Sequence, residues 1–282
     1  MTDRNRRFED RVVFISGVAR GQGRSHAVAF AEEGARIIGF DACSDLPNTP
    51  YPLATDEDLA ETVRLAEQVG GAMHAVKADV RDLGAVREVL KGGLDKYGRL
   101  DVILANAGTY SPGPTQWLSS ESWQETIDIN LTGVFNTVRA GLNRMVEFGH
   151  GGSIVITSST AGIRGFYGAP AYSAAKHGVV GFARALANEM APMNIRVNTV
   201  HPTSVNTPMI NNDVFPKLVR MDLEDPTFDD AGEFLETMQT MPIPWIEAAD
   251  ISNAILWLCS DDARYVTGVQ LPVDGGAMQK SS

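Results

Sequence analysis

The chain has 282 residues, of which 44% are hydrophobic, and it carries 24 basic and 35 acidic residues for a net charge of −11. This charge argues against a nucleic acid or an anionic membrane surface as the partner. No apolar stretch reaches the roughly 18–20 residues of a membrane span, and the N-terminal residues include no apolar signal region. The only two cysteines, Cys43 and Cys259, lie far apart, so the sequence predicts a cytoplasmic location, no disulfide and no metal site.

Apolar runs alternate with segments of helical periodicity along the whole chain. The predicted strands are 12–15, 35–40, 72–77, 100–105, 152–158, 195–200 and 270–273. The predicted helices are 25–33, 56–69, 82–97, 121–148, 170–190 and 247–260. Near-continuous apolar strands separated by helices indicate a parallel sheet covered on both faces. No linker rich in Pro, Gly or Ser divides the chain, so we predict a single-domain, doubly wound α/β fold of the Rossmann type over residues 1–282, with about seven strands.

Two segments interrupt this alternation. Residues 42–55 form a proline-rich insertion after the second predicted strand, and residues 203–246 form a long stretch with weak periodicity and several methionines. Loops of this length inside a compact domain are usually functional or mobile. We therefore predict that residues 203–246 form a substrate-binding region. The 42–55 insertion is equally compatible with a functional role and with surface decoration.

The first predicted strand leads into a glycine-rich turn with the spacing G-x-x-x-G-x-G. Glycines at a strand-to-helix turn let the backbone approach a pyrophosphate, and the helix N-terminus supplies free N–H groups and the positive end of a dipole. The string alone is weak, because ordinary loops are also rich in glycine. In its strand–turn–helix context it predicts contacts with a dinucleotide. The predicted contacts are Gly17, Ala19, Arg20, Gly21, Gln22 and Gly23.

The second predicted strand is followed by Asp41. An acid at this place accepts hydrogen bonds from the adenine-ribose hydroxyls and repels a 2′-phosphate, so Asp41 favours NAD over NADP. Arg20 and Arg24 favour the opposite choice, because an arginine in the glycine turn can pair with that phosphate. The alternative for Asp41 is a solvated strand end. Ligands gather at the carboxyl ends of strands in open α/β sheets. The contacts predicted at the following strand ends are Asp79, Val80, Asn106, Ala107 and Gly108.

Tyr172 and Lys176 are four residues apart within a predicted helix, and Ser159 precedes the tyrosine by thirteen residues. Positions i and i+4 of a helix lie on the same face, about 5–6 Å apart. An ammonium that close to a phenol favours the phenolate, so we expect Lys176 to lower the Tyr172 pKa from its usual value of about 10. Such a phenol exchanges a proton near neutral pH and serves as a general acid or base. The alternative, a chance pair on a surface helix, does not account for the other motifs.

Taken together, these strings resemble the classical short-chain dehydrogenase/reductase family over most of the chain. The shared motifs are the glycine turn, Asn106-Ala107-Gly108, Asn130, Ser158-Ser159, Tyr172 with Lys176, and Val273-Asp274-Gly275-Gly276. Each motif is modest, but their order and spacing are specific. The resemblance implies an NAD-dependent oxidoreductase of the EC 1.1.1 type, which moves a hydride between NAD and a secondary alcohol or ketone.

A narrower resemblance is to the mycofactocin-coupled, carveol-dehydrogenase-like subgroup of that family. It rests on residues 20–27, on residues 51–55 of the insertion and on residues 201–209. The subgroup implies a tightly held NAD that a separate redox carrier re-oxidises or reduces. Ser204 and Ser16 depart from the usual glycine and threonine, and neither departure removes a catalytic group.

The resemblance also implies the catalytic set Asn130, Ser159, Tyr172 and Lys176. In alcohol oxidation Tyr172 removes the hydroxyl proton, and Ser159 hydrogen-bonds the substrate oxygen. Lys176 also binds the nicotinamide ribose, and Asn130 holds a water that links Lys176 to solvent. Tyr172 and Lys176 therefore count among the cofactor contacts. The contacts implied near the nicotinamide carboxamide are Pro202, Thr203, Val205 and Thr207.

Neighbouring polar residues are expected to lie outside this chemistry. Ser158 is adjacent to Ser159 and points elsewhere, His177 lies on another face of the helix than Lys176, and His201 is structural. The loop after Pro208 supplies mostly apolar side chains, so the expected substrate is a hydrophobic, terpenoid-like alcohol or ketone. The alternative is that these side chains belong to the core. The family is typically a homotetramer built through its two long helices, which are 121–148 and 170–190 here.

Two rival functions are compatible with the same fold. A ketoacyl reductase of lipid metabolism would be expected to favour NADPH and to present a basic docking patch. Asp41 and the net charge of −11 argue against both features. A non-catalytic dinucleotide-binding sensor has no need of a tuned acid and base. The intact set of Ser159, Tyr172 and Lys176 argues against that class.

Overall fold

The computed structural model describes residues 6–280 and has an α/β fold built on a parallel sheet. Seven strands in this part of the chain follow the order β3-β2-β1-β4-β5-β6-β7, and each pairs with its neighbours in parallel. They are β1 (Val12–Ser16), β2 (Arg36–Asp41), β3 (Ala72–Lys77), β4 (Val102–Ala105), β5 (Gly152–Thr157), β6 (Ile195–Pro202) and β7 (Gln270–Val273). The predicted single-domain, doubly wound fold is confirmed. Residues 1–5 and 281–282 of the predicted domain lie outside the described residues.

Helices connect the strands and cover both faces of the sheet. They are α1 (Gly21–Glu32), α2 (Asp56–Gln68), α3 (Leu83–Tyr97), α4 (Ser120–Ile127), α5 (Gly133–Phe148), α6 (Pro170–Met190), α7 (Phe215–Val219), α8 (Phe228–Thr237) and α9 (Ala248–Cys259). None of the helices within residues 6–280 has the length and apolarity that crossing a membrane requires.

Alternate side chains of β1 enter two apolar cores on opposite faces of the sheet, because successive strand residues point in opposite directions. Phe14 packs in the same core as Val179 of α6, whereas Ile15 packs in the same core as Phe30 of α1. All four side chains are fully buried. Burying a side chain of this size stabilises the fold by about 1.5–3 kcal/mol. The glycine turn and the helix that carries Tyr172 are thus anchored on opposite faces of one sheet.

The strand order reverses between β1 and β4. The connections that leave the carboxyl ends of these two strands run to opposite faces, which opens a crevice between them. The glycine turn follows β1, and Asn106-Ala107-Gly108 follows β4, so both motifs lie at this crevice.

Three predicted elements differ from the structure. The first helix begins at Gly21 and not at residue 25, so its N-terminus lies inside the glycine turn. The predicted helix 121–148 is interrupted by a turn of π-helix at Asp128–Thr132. Residues 203–246, predicted as a loop region, contain the helices α7 and α8. A capping box at Thr227, closed by Asp230, marks the beginning of α8 and was readable from the sequence.

Candidate active site

A cleft at the carboxyl edge of the sheet follows the crevice between β1 and β4. Residues of the glycine turn line one side of the cleft. Residues at the carboxyl ends of β2, β3 and β4 line its floor. Most of the predicted cofactor contacts line it. These are Gly17, Arg20, Gly21, Gln22, Gly23, Asp41, Asp79, Val80, Asn106, Ala107, Gly108 and Thr207.

The glycine turn needs its glycines for two reasons. Gly17 and Gly21 have φ angles of +68° and +56°, a region that other residues rarely adopt. A Cβ atom on Gly23 would lie 1.9 Å from the carbonyl oxygen of Gly17, so the turn has no room for a side chain there. Because α1 begins at Gly21, its first N–H groups have no partner within the helix. The turn therefore presents free backbone donors to the cleft, as an anionic pyrophosphate requires.

Asp41 lies at the end of β2 and lines the cleft. Its Oδ2 accepts a hydrogen bond of 3.0 Å from the backbone N–H of Ala19. Burial raises the Asp41 pKa, and hydrogen bonds from the N–H groups of Ala19 and Cys43 oppose that shift. Ala19 itself is fully buried, and Asp41 already uses its N–H. The Ala19 amide therefore orients Asp41 at the edge of the cleft, and a contact between Ala19 and the cofactor stays a prediction.

The side chain of Arg24 is already paired within the protein. Its guanidinium donates to the carbonyls of Ala19 and Asp58 and forms a salt bridge of 3.1 Å with the Asp58 carboxylate. Arg20 lines the cleft and donates a hydrogen bond of 2.6 Å to the carbonyl of Pro52 in the insertion. The arginine of α1 that favoured NADP in the sequence is thus already paired.

The 42–55 insertion forms one side of the cleft, which favours a functional role over surface decoration. The insertion residues that line it are Ala42, Ser44, Leu46, Tyr51, Leu53 and Ala54. Tyr51 is buried, and its hydroxyl oxygen accepts a hydrogen bond of 3.0 Å from the N–H of Tyr110. The insertion is therefore held near its C-terminal end, where Tyr110 contacts Tyr51 and Arg20 contacts the adjacent Pro52. Apart from the prolines that mark a loop, the sequence pattern offers no signal for this contact.

Tyr172 and Lys176 lie in the first turns of α6, which begins at Pro170. Proline suits this position because the first N–H of a helix has no partner. The Lys176 side chain is buried, and its Nζ donates a hydrogen bond of 2.9 Å to the carbonyl of Thr157 at the end of β5. The same Nζ lies 5.4 Å from the centroid of the Tyr172 ring. Ser159 follows two residues after β5 and begins a short 3₁₀ turn.

The pKa of Tyr172 differs from the prediction. Burial raises it above the usual value, and the hydroxyl of Ser159 opposes part of that shift. Burial also lowers the Lys176 pKa to about 8. The expectation that the Tyr172 pKa lies below its usual value is therefore wrong. Removing the phenol from water disfavours its anion, and the lysine charge does not compensate.

Asn130 lies in the π-helical turn and is fully buried. Its Nδ2 donates to the carbonyls of Thr109 and Thr126, at 3.0 Å each, and its Oδ1 accepts a bond of 3.2 Å from the N–H of Thr109. A Cβ atom on Gly108 would lie 2.7 Å from this Oδ1 and 3.4 Å from Lys176 Nζ. Asn130 therefore holds Gly108 and Thr109, the segment that follows β4, beside the Lys176 side chain. A π-turn of this kind often marks a functional site.

The predicted contacts after β6 are only partly in the cleft. Thr207 lines it and lies 3.4 Å from the Cβ position of Gly21. Pro202 and Thr203 do not line it, and the N–H of Thr203 donates to the carbonyl of Val273. Val205 also does not line it, because its side chain is buried in the core and its backbone bridges to Ile246.

The neighbouring polar residues are placed as predicted, with one addition. The Ser158 hydroxyl donates to the carbonyl of Lys176, and His177 is exposed. His201 is fully buried, as expected of a structural residue, but its Nδ1 lies 2.8 Å from the carbonyl oxygen of Ser159. The sequence gives no signal for this contact, since the two residues are far apart in the chain.

Comparisons with known proteins agree with this geometry. The family model described as enoyl-(acyl carrier protein) reductase matches residues 17–278. The (−)-trans-carveol dehydrogenase of Rhodococcus erythropolis is 46% identical over 275 residues, which cover 97% of this chain and 99% of that protein. The crystal structure of carveol dehydrogenase from Mycobacterium avium in complex with NAD is 49% identical, with a TM-score of 0.96 over 97% of this chain and 99% of that one.

A short-chain dehydrogenase from Mycobacterium paratuberculosis, crystallised bound to NAD, is 42% identical, with a TM-score of 0.89 over 97% of this chain and 100% of that one. The similarity in sequence and in structure thus extends over nearly the whole length of each protein. The chain belongs to the short-chain dehydrogenase/reductase family, within its carveol-dehydrogenase-like branch.

Proposed function

We propose that the protein moves a hydride between NAD and a hydrophobic secondary alcohol or ketone, with Tyr172 as the general acid and base. One observation carries this proposal: the nucleotide cleft and the proton-transfer residues meet at Gly108. Gly108 lines the cleft, and its Cβ position lies 3.4 Å from Lys176 Nζ. A dinucleotide in the cleft therefore ends beside the residues that exchange the substrate proton.

The cleft fits NAD. The free N–H groups at the beginning of α1 suit a pyrophosphate. The glycine turn can form because Gly23 has no Cβ atom, which would collide with the carbonyl oxygen of Gly17. Asp41 suits ribose hydroxyls and disfavours a 2′-phosphate. Two relatives with the same fold were crystallised with NAD. The residues that would hold it are Gly17, Arg20, Gly21, Gln22, Gly23, Asp41, Asp79, Val80, Asn106, Ala107, Gly108, Tyr172, Lys176 and Thr207.

NAD supplies the carbon that accepts or donates the hydride, and the protein supplies the proton path. In alcohol oxidation Tyr172 accepts the hydroxyl proton, and in ketone reduction it returns one. Ser159 donates a hydrogen bond to the substrate oxygen and stabilises the charge that develops there. Lys176 places a positive charge near the phenol and binds the ribose. Asn130 has used both amide hydrogens, so a water held there would donate to its Oδ1 or to backbone carbonyls.

The substrate proposal rests on apolar side chains of residues 203–246 and on Tyr110. Met209 lines the cleft, and the next residue in the chain, Ile210, is buried. Trp245 stacks on Phe228 at a centroid distance of 4.5 Å. Tyr110 packs edge-to-face against Tyr172 at 5.3 Å. Apolar and aromatic walls with few polar groups suit a terpenoid-like alcohol. The relative from Rhodococcus erythropolis is a carveol dehydrogenase.

The remaining parts of the proposal concern turnover, assembly and location. Hydrogen bonds from Tyr110 and Arg20 fix Tyr51 and Pro52 of the insertion at one side of the cleft, which supports slow exchange of NAD and, with it, re-oxidation by a separate redox carrier. Assembly into a homotetramer would cover exposed apolar groups of α5, such as Phe135, which packs on Phe182 of α6. The free thiols of Cys43 and Cys259 support a reducing cytoplasm.

The rival reductase of lipid metabolism has one observation in its favour. The matched family model is described as an enoyl-(acyl carrier protein) reductase, and a 3-oxoacyl-[acyl-carrier-protein] reductase of Thermotoga maritima is 33% identical. Asp41 and the net charge of −11 count against NADPH and an acidic carrier protein. Carveol dehydrogenase has the higher identity, at 46%.

A direct assay separates these functions. The purified protein is supplied with carveol or with an acetoacetyl thioester, with NAD(H) or NADP(H), and a redox dye replaces the carrier in a parallel set. We expect carveol-dependent reduction of NAD or of the dye, and no thioester reduction with NADPH. Thioester reduction without any alcohol oxidation would contradict the proposal. Binding of NAD without turnover of any alcohol would favour the sensor.

A further inference from the structure

His201 is a buried residue that the proposed mechanism does not use. It lies near the end of β6, beside the end of β5 from which Ser159 follows. The two strands pair in parallel up to Thr157 and Val200, and the N–H of Ser158 still donates to the carbonyl of Val200. Beyond that point the sheet no longer fixes the chain that carries Ser159.

The hydrogen bonds of the imidazole determine its protonation. Nδ1 lies 2.8 Å from the Ser159 carbonyl oxygen, and Nε2 lies 2.8 Å from Thr199 Oγ1. A carbonyl oxygen only accepts, so Nδ1 carries the hydrogen and Nε2 accepts from the Thr199 hydroxyl. Burial lowers the His201 pKa to about 4, which keeps the ring neutral at physiological pH.

The carbonyl that His201 holds belongs to the residue that contacts the tyrosine. Ser159 has an extended backbone, and its carbonyl also accepts from the N–H of Gly162 in the turn that follows. Two donors therefore fix this peptide group. The Ser159 hydroxyl accepts a hydrogen bond from the N–H of Ala161 and opposes the rise in the Tyr172 pKa. A peptide rotation at Ser159 would move that hydroxyl.

We propose that His201 is a positioning residue for Ser159: its Nδ1–H holds the Ser159 carbonyl and so aims the Ser159 hydroxyl at Tyr172 and at the substrate oxygen. This role rests on the proposed function of Ser159 and Tyr172. His201 touches neither the substrate nor the cofactor in this account. If His201 only filled space in the core, its size and shape would matter, but the hydrogen-bond donor at Nδ1 would not.

A pair of amide variants separates these two roles. In His201→Asn the amide nitrogen is bonded to Cγ, as Nδ1 is, so a donor to the Ser159 carbonyl is retained. In His201→Gln the amide lies one bond further out, near the Nε2 position, so that donor is lost. His201→Leu removes both hydrogen bonds. Tyr51 and Tyr110, which also face Tyr172, are unchanged in all three.

We expect kcat for alcohol oxidation to fall about tenfold in His201→Gln and His201→Leu, and to stay within about threefold of the original in His201→Asn, since one neutral buried hydrogen bond is at stake. The rise of kcat with pH should move to higher pH in the first two, because Tyr172 loses the contact that lowers its pKa. The dissociation constant of NADH should not change. Equal losses in His201→Asn and His201→Gln, or an unmoved pH profile, would overturn the proposal.

Two further measurements keep the test decisive. If the His201 variants do not fold, Thr199→Val removes the donor to Nε2 and leaves the ring in place. A several-fold loss of kcat with the same pH shift is then expected, and unchanged kinetics would refute the proposal. A crystal structure of His201→Gln tests the position of the Ser159 hydroxyl without any turnover. A displaced hydroxyl supports the positioning role even if the protein oxidises no alcohol, and an unmoved hydroxyl refutes it.

Discussion

The Lys176 ammonium lies 5.4 Å from the centroid of the Tyr172 ring, and its hydrogen bond goes to the carbonyl of Thr157. The lysine is thus anchored to the end of β5 and acts on the phenol through space. Burial lowers the pKa of Lys176 to about 8 and raises that of Tyr172. In the proposed mechanism, the protonated lysine and the neutral phenol together are the form that donates a proton to a ketone.

The first prediction concerns the pH dependence of ketone reduction. Reduction needs Tyr172 protonated and Lys176 charged, and the lysine loses its proton as the pH rises through about 8. Reduction should therefore fall above that pH, whereas oxidation, which needs the phenolate, should still be rising at the alkaline end of the range, because burial raises the Tyr172 pKa. Initial rates of both directions, measured from about pH 6 to about pH 10, check this. In Lys176→Arg the charge persists, so the fall in reduction should move to higher pH; a reduction rate that stays level in the original protein would contradict the account.

The second prediction concerns the proton-transfer group. Tyr172→Phe should lower kcat by about 10²–10⁴-fold, the usual contribution of general acid–base catalysis. NADH binding, measured by fluorescence titration, should be nearly unchanged. The matched control is Tyr110→Phe, because Tyr110 packs edge-to-face on the same ring and is not assigned a proton. Equal losses in the two variants would show that packing, and not the phenol, matters.

The third prediction concerns cofactor choice. Asp41→Asn keeps an oxygen that can accept from the Ala19 N–H but removes the charge that disfavours a 2′-phosphate. The preference for NAD over NADP should fall about tenfold, which corresponds to about 1.4 kcal/mol. Asp56→Asn removes an exposed charge from the beginning of α2 and serves as the control. Competitive titration of both dinucleotides checks this. Tighter binding of NADP to the unmodified protein would show that Asp41 has been misassigned.

The fourth prediction concerns stability in acid. His26 and His201 are fully buried, and burial lowers their pKa values to about 3 and about 4. The unfolded chain binds protons at these residues below about 6.5, whereas the folded chain does not. The free energy of unfolding should therefore fall as the pH drops from about 6.5 towards 4, by up to about 1.4 kcal/mol per pH unit for each histidine.

Urea titrations at about pH 7, 6 and 5 measure this slope. His26→Asn should reduce it, whereas replacement of the exposed His177 by Gln should not. A free energy of unfolding that does not change over this range would mean that the buried histidines are protonated in the folded state.

The order of elements and the nucleotide end of the site follow closely from the sequence. The bounds of β3, β7 and α6 were predicted without error, because apolar runs and helical periodicity are unbroken there. Gly17, Gly21 and Gly23 were found because a tight turn between a strand and a helix leaves few alternatives to glycine.

Contacts that depend on packing were not predictable in the same way. The π-turn at Asp128–Thr132 changes the hydrogen-bond register without disturbing the apolar periodicity, so Asn130 was found only through the family resemblance. The spacing of the glycine turn did not show that the Ala19 N–H donates to Asp41. The pKa of Tyr172 was misjudged because a four-residue spacing gives proximity to Lys176 but says nothing of burial.

The most direct test of the central claim follows one hydrogen atom. Carveol carrying deuterium on its hydroxyl-bearing carbon is incubated with the purified protein and NAD, and the dinucleotide is then released and its mass measured. The account predicts NADH one mass unit heavier with the original protein, and almost none with Tyr172→Phe. Unlabelled NADH, or the same amount of labelled NADH from Tyr172→Phe, would contradict it.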